Sequence, residues 1–101
     1  MNIMLACCAG MSTSLVVAAM QEAAKEQGKD YHIWAVEQGQ IEDEIGNFDV
    51  LLLGPQVRHI LRRVTKLVGD RAPVAVIEPM SYGRCDGAAV LKQAEDLVKG
   101  A

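Results

Sequence analysis

The sequence predicts an α/β fold in which an open, four-stranded parallel sheet carries helices on both faces. Strand patterns alternate with helical patterns in the order βαβαβαβα, and the connections between them are short. The third strand pattern is apolar on both faces, as in a parallel sheet that helices cover on each side. With 101 residues, the chain is long enough for one hydrophobic core, so we expect a single domain over residues 1–101.

Four short apolar segments are the predicted strands, at residues 2–6, 31–36, 49–53 and 73–77. The second is rich in aromatic and β-branched residues, which favour strands. Gly54-Pro55-Gln56 ends the third strand, and Glu78-Pro79 ends the fourth. In such a sheet, ligands bind beyond the carboxyl ends of the strands, near the switch in strand order. We therefore expect the loops that follow the strands to carry the functional site.

Four helical patterns follow the strands. The first begins at about Thr13, where Ser12, Thr13 or Ser14 can cap it, and Gly28 is placed to end it. A short, weak helix is predicted over residues 38–47, and a loop with one helical turn over residues 80–87. The expected buried positions of the first, third and last helices are Leu15, Val16, Ala19, Met20, Ala23, Val57, Ile60, Leu61, Val64, Leu67, Val68, Val90, Leu91, Ala94, Leu97 and Val98.

The composition argues against several classes of function. The net charge is −3, which gives no electrostatic case for nucleic-acid binding. No apolar run approaches the ~20 residues that a membrane-spanning helix needs, and the N-terminus lacks the basic start of a signal peptide. The three cysteines, Cys7, Cys8 and Cys85, form neither a disulfide framework nor a zinc-ligand spacing. We expect free thiols in a reducing cytoplasm, with no metal, no cofactor and no direct membrane insertion.

The first strand ends at a thiol, and a loop of small and hydroxylated residues follows before the first helix. Helix N-termini and backbone N–H groups stabilise both a thiolate and a bound anion, so Cys7 is a candidate nucleophile. Free cysteine is also often a small core residue, and position alone leaves both interpretations open for Cys7. Cys8 competes for the role, but the strand pattern places Cys7 at the strand end. Cys85 is interpreted as a packing residue.

Other phosphate-binding loops fit this sequence poorly. A nucleotide-hydrolase P-loop needs a lysine, and none precedes Lys25. A dinucleotide fingerprint needs three glycines, and this loop has Gly10 alone. A cysteine-dependent phosphatase is expected to have arginine six positions after its cysteine, where Thr13 stands here. The loop also lacks a carboxylate, so it is suited to hold a phosphoryl group but not to hydrolyse it. That combination indicates a phosphoryl carrier.

The loop resembles the active-site loop of a known family, the IIB components of the lactose/cellobiose (diacetylchitobiose) branch of the bacterial phosphoenolpyruvate-dependent sugar phosphotransferase system. The family pattern C-x-A-G-M-S-T-S-L matches residues 7–15, and the likeness extends over the whole chain, including residues 51–56 and the string Tyr82-Gly83-x-x-Asp86-Gly87. Cys8 is often serine in relatives. This near-isosteric difference leaves the backbone cradle intact and adds an oxidation partner for Cys7.

The resemblance implies a mechanism. The Cys7 thiolate accepts a phosphoryl group from a phosphohistidine of the partner IIA protein and passes it to a sugar held by the membrane-embedded IIC component. It implies a β-glucoside disaccharide such as cellobiose, chitobiose or lactose, a cytoplasmic protein peripherally associated with IIC, and no cofactor. The implied phosphate-binding residues are Cys8, Ala9, Gly10, Met11, Ser12 and Thr13.

Four further residues are candidates for the site edge or for partner contact: Ser14, Gln56, Arg58 and Tyr82. Arg58, Arg62 and Lys66 recur four residues apart opposite the apolar face of the third helix, as either a solvated stripe or a docking surface. Two other functions stay open from the sequence. One is a small cysteine-dependent phosphatase or arsenate-reductase-like enzyme, and the other is a non-catalytic flavodoxin-like binding module.

Overall fold

Four parallel strands form one sheet in the order β2-β1-β3-β4. The computed structural model describes residues 1–7 and 11–100, without the side chains of Met11 and Ser12. The strands are β1 (Asn2–Cys7), β2 (His32–Glu37), β3 (Val50–Leu53) and β4 (Val74–Val76). The helices are α1 (Met11–Glu26), α2 (Ile41–Glu44), α3 (Leu61–Val68), α4 (Pro79–Gly83) and α5 (Gly87–Gly100), and 3₁₀ segments cover Gln38–Gln40 and Pro55–Ile60.

Helices cover both faces of the sheet, as predicted. Successive residues of a strand point to opposite faces. Ile3 and Leu5 of β1 therefore pack with α1 and α5, whereas Met4 and Ala6 pack with α2, α3 and the 3₁₀ segment before α3. All four side chains are fully buried. The predicted parallel sheet with two apolar faces is confirmed.

Helix α1 differs from the prediction at its start. It begins at Met11, so Ser12, Thr13 and Ser14 lie in its first turn, after the N-cap position. Leu15 is 66% exposed, and its predicted burial is wrong. Buried Val16, Met20 and Ala23 define the inner face, and Leu15 is rotated about 100° from Val16 around the helix axis.

The end of α1 follows the sequence prediction. The helix stops at Glu26, and Gly28 adopts a φ of 70°, which a residue without a Cβ reaches readily. The N–H of Gly28 donates to Lys25 O at 3.1 Å, and the N–H of Lys29 donates to Ala24 O at 2.9 Å. These bonds satisfy carbonyl groups of the last helical turn.

The predicted third helix is two segments. Pro55–Ile60 is a 3₁₀ segment in which Val57 departs from helical geometry (φ −114°, ψ 22°), and α3 proper begins at Leu61. The apolar spacing survives the kink, because Val57, Ile60, Val64 and Val68 are all buried. Leu67 is 37% exposed, so its predicted burial is not confirmed.

The second and fourth helices are short. The predicted helix over residues 38–47 is a 3₁₀ turn followed by the four residues of α2. The helical turn expected after β4 is α4, which starts at Pro79; proline is favoured in a first helical turn because its missing N–H is not needed there.

The strand order switches between β1 and β3. The chain leaves β1 towards β2 on one side and then crosses over to place β3 on the other. Beyond the last paired residues, the Gly54 N–H donates to Ala6 O at 2.9 Å, and the Ile77 N–H donates to Leu53 O at 2.9 Å. Cys7, the last residue of β1, therefore lies at the position where such sheets bind ligands.

Candidate functional site at the carboxyl edge of the sheet

Cys7 lies at the end of β1, paired with Glu37 of β2, and is 2% exposed. Helix α1 begins four residues later at Met11. The predicted strand and helix are therefore present on either side of this position, and the strand ends at a free, nearly buried thiol. The N-terminus of a sixteen-residue helix supplies unpaired N–H groups and a partial positive charge near such a thiol.

Gly54 brings the backbone after β3 close to Cys7. A Cβ atom built on Gly54 would lie 3.6 Å from the Cβ of Cys7 and 3.6 Å from Ala6 O. The same position would be only 2.8 Å from the Oε1 of Gln56. The Gln56 side chain thus folds back over Gly54, at the edge of the sheet where β1 ends.

Tyr82 joins the loops that follow three different strands. Its hydroxyl accepts a hydrogen bond from Gln56 Nε2 at 3.0 Å and shares a second one with Thr13 Oγ1 at 3.2 Å. Thr13 is fully buried, and it is the one buried polar side chain among those of residues 1–7 and 13–100. Residues from α1, the 3₁₀ segment and α4 therefore meet at one edge of the sheet, although 69 positions separate Thr13 from Tyr82.

The remaining candidates are placed less centrally. Arg58 is exposed on the 3₁₀ segment, and Arg62 and Lys66 are exposed on α3. None of these three forms an ion pair with another residue that the structure describes. Ser14 is exposed in the first turn of α1. The predicted phosphate-binding residues Cys8, Ala9 and Gly10, and the side chains of Met11 and Ser12, lie outside the described residues.

Comparison with known proteins decides the family. Residues 2–93 match the family model of the lactose/cellobiose-specific IIB subunit of the phosphotransferase system (PTS). The chain belongs to this IIB family.

Curated relatives of this IIB chain carry different sugar names. It is 45% identical over 102 residues to the galactose-specific EIIB component of Lactococcus lactis subsp. cremoris, covering 95% of this chain and 94% of the relative. It is 44% identical, with the same coverage, to the cellobiose-specific EIIB component of Lactococcus lactis subsp. lactis. It is 38% identical over 98 residues to the oligo-beta-mannoside-specific EIIB component of Bacillus subtilis, covering 96% of this chain and 95% of the relative.

Solved structures of IIB proteins share the fold. The cellobiose-specific IIB component from Borrelia burgdorferi has a TM-score of 0.82 at 33% identity, with 99% of this chain and 93% of that one covered. The lactose-specific IIB domain from Streptococcus pneumoniae has a TM-score of 0.82 at 18% identity, with 96% of each chain covered. At 18% identity, the likeness to the Streptococcus pneumoniae domain concerns the fold alone.

A shallow groove beside Tyr82 was not expected from the IIB sequence. It has a volume of about 260 Å³ and is lined by Leu15, Val16, Tyr82, Gly83 and Cys85. Sequence reasoning missed it because Leu15 was assigned to the core. The helical periodicity does indicate this position, since Val16, Met20 and Ala23 form the buried face of α1 without Leu15.

Within residues 1–7 and 11–100, no group of three or more His, Cys, Asp and Glu residues is placed to hold a metal ion. The helices of the same ranges are all too short or too polar to span a bilayer.

Proposed function

We propose that this IIB chain is a phosphoryl carrier in which Cys7 receives a phosphoryl group from a phosphohistidine of a IIA protein. It then delivers the group to a sugar bound by a membrane IIC component, which makes the chain one part of a protein-phosphohistidine–sugar phosphotransferase. The observation that supports this most strongly is the free thiol of Cys7 at the carboxyl end of β1, at the switch point and four residues before α1.

The first transfer joins Cys7 to phosphorus. The thiolate attacks a phosphohistidine whose other ring nitrogen carries a proton. The S–P bond forms and the N–P bond breaks, so the ring leaves as neutral imidazole. Little covalent assistance is needed in such transfers, because positioning and fixed hydrogen-bond donors supply most of the rate. Under this proposal the N–H groups of residues 8–13 hold the phosphoryl oxygens, as helix N-termini commonly do.

The second transfer regenerates the thiolate. The hydroxyl oxygen of the sugar attacks phosphorus, the O–P bond forms and the S–P bond breaks, while the hydroxyl proton passes to a base of the sugar-bound component. The unmodified Cys7 residue is 2% exposed. Under this proposal its neighbours also keep water from the phosphocysteine between the two transfers.

The same proposal covers the sugar, the partners and the location. One relative is named for galactose, a monosaccharide. The relatives named for cellobiose and oligo-beta-mannosides support a β-linked disaccharide of the cellobiose, chitobiose or lactose type. IIA and IIC are then the two partners, and the carrier works in the cytoplasm against the membrane-embedded IIC. Ser14, Gln56, Arg58 and Tyr82 border the site or contact a partner.

Mass spectrometry tests the carrier role directly. The protein is incubated with phosphoenolpyruvate, enzyme I, the histidine phosphocarrier and purified IIA proteins of the same family, and the added phosphoryl group is mapped on peptides. We expect one phosphoryl group on Cys7, absent from Cys7→Ser and retained in the matched thiol control Cys85→Ser. A label on Cys8 would move the site by one residue. Reduced, folded protein that takes no label from any matching IIA would contradict the proposal.

A further inference from the structure

We propose that Tyr82 is a positioning residue that acts on the phosphoryl group of Cys7 through Thr13; this inference rests on the proposed function. The Tyr82 hydroxyl joins α4 to α1 through Thr13 and to the 3₁₀ segment through Gln56. Each of these segments follows a different strand, so one hydroxyl group joins the segments that follow β1, β3 and β4.

The chemistry of the side chains fixes the direction of one of the two hydrogen bonds. The amide nitrogen of Gln56 can only donate, so the Tyr82 oxygen accepts that bond and keeps its own proton. Either hydroxyl can donate in the 3.2 Å bond between Tyr82 and Thr13 Oγ1. In the proposed arrangement Tyr82 donates and the proton of Thr13, the last residue of the predicted cradle, is offered to the phosphoryl oxygens. Hydrogen bonds in such a chain polarise and strengthen one another.

The position of Tyr82 is fixed by the packing of its neighbours against α1. Gly87, the first residue of α5, lies so close to α1 that a Cβ atom there would be 2.2 Å from the carbonyl carbon of Ala19. The turn between α4 and α5 is tight, because the Cys85 N–H donates to Tyr82 O at 3.0 Å and Cys85 has a φ of 53°. The helix that carries Tyr82 is therefore held close to the helix that carries Thr13.

Partner contact is the competing role for Tyr82, because the residue also lines the groove with the exposed Leu15. The two roles affect different kinetic quantities. A positioning residue changes the rate of transfer once donor and acceptor are bound, whereas a docking residue changes the concentration at which the donor saturates.

The experiment measures single-turnover phosphoryl transfer from a phosphorylated IIA protein to Cys7 over a range of IIA concentrations. Tyr82→Phe keeps the ring and removes the hydroxyl. Tyr31→Phe is the matched control, since it is the other tyrosine of the chain and its hydroxyl also donates a hydrogen bond, to Glu95 at 2.7 Å. We expect Tyr82→Phe to lower the limiting rate about tenfold with an unchanged half-saturation concentration, the scale of one lost hydrogen bond in a network. Tyr31→Phe should stay within about twofold of wild type.

A double-mutant cycle tests the chain of hydrogen bonds from Gln56 through Tyr82 to Thr13. Gln56→Ala changes an exposed residue and removes the bond to Tyr82, so it should leave folding intact and also lower the limiting rate. Combined with Tyr82→Phe it should add nothing, because both changes break the same chain of hydrogen bonds. If Tyr82→Phe fails the check of folding by circular dichroism, Gln56→Ala alone carries the test.

Three results would overturn the inference. They are a limiting rate unaffected by Tyr82→Phe, a change confined to the half-saturation concentration, or additive effects of the two substitutions. Failure of the proposed function is distinguishable from these, because wild-type protein would then take no phosphoryl group on Cys7 and the inference would fall with it.

Discussion

Replacement of Gly87 by alanine is predicted to destabilise the fold strongly. The new Cβ would lie 2.2 Å from the carbonyl carbon and oxygen of Ala19 and 2.6 Å from the nitrogen of Met20. These are backbone atoms, so no side-chain rotation relieves the overlap, and α5 must move from α1 by roughly 1 Å to restore ordinary contact. That movement separates Val90 and Leu91 from the core that they share with Val16 and Met20.

The cost of this overpacking is about 3 kcal/mol in the free energy of unfolding. For a domain of this size it corresponds to a fall in Tm of roughly 12–24 °C. Thermal and urea unfolding followed by circular dichroism measure both quantities. Gly83→Ala is the matched control, because nothing lies within 4 Å of its new Cβ and alanine favours helix, so its Tm should be unchanged or slightly higher. A Gly87→Ala protein within about 0.5 kcal/mol of wild type would refute the packing argument.

Three further predictions concern the hydrophobic core and the hydrogen-bonded group of Lys29, Tyr31 and Glu95. Leu91→Ala, at a fully buried leucine, should cost about 3 kcal/mol in urea unfolding, whereas Leu15→Ala, at a leucine that is 66% exposed, should cost less than about 0.5 kcal/mol. Equal costs would contradict the placement of Leu15 outside the core. Hydrogen bonds from Lys29 and Tyr31 hold the pKa of Glu95 below its ordinary value of 4.5. The ionised Glu95 carboxylate therefore stabilises the folded state fully above pH 4.5, and this stabilisation is lost as pH falls through the lowered pKa of the folded state. The free energy of unfolding of wild type should exceed that of Glu95→Gln by about 1 kcal/mol at neutral pH, and this difference should disappear towards low pH. A gap that persists under acid conditions would exclude the carboxylate as its source. The same Glu95 carboxylate raises the pKa of Tyr31 through its hydrogen bond, so stability from this pair should also decline at high pH, and Tyr31→Phe should remove that decline.

The sheet and the position of Cys7 could be predicted because they depend on local patterns. A five-residue apolar strand followed by small and hydroxylated residues fixes where β1 ends, and the run at residues 50–53 is apolar on both faces because helices cover both. Gly28 is likewise the kind of residue that a helix end requires.

The errors arose where tertiary contacts decide the outcome. Leu15 fits a broad apolar helical face by spacing, yet the buried face is centred on Val16, Met20 and Ala23, and Leu15 lies beside it. The 3₁₀ segment after Gly54 keeps the helical spacing of its apolar residues, so periodicity did not distinguish it from an α-helix. The bond between Thr13 and Tyr82 spans 69 positions and depends on how α4 sits on α1, which no local pattern encodes.

The fate of a phosphoryl group on Cys7 tests the central claim most directly. Protein phosphorylated through IIA is freed of the donor and followed by intact mass, alone and with membrane vesicles that contain a lactose/cellobiose-type IIC and cellobiose. The carrier account predicts that the phosphoprotein persists alone and that, with IIC and sugar, its phosphoryl group appears stoichiometrically as sugar phosphate. Rapid release of inorganic phosphate without sugar would instead identify a phosphatase and contradict the account.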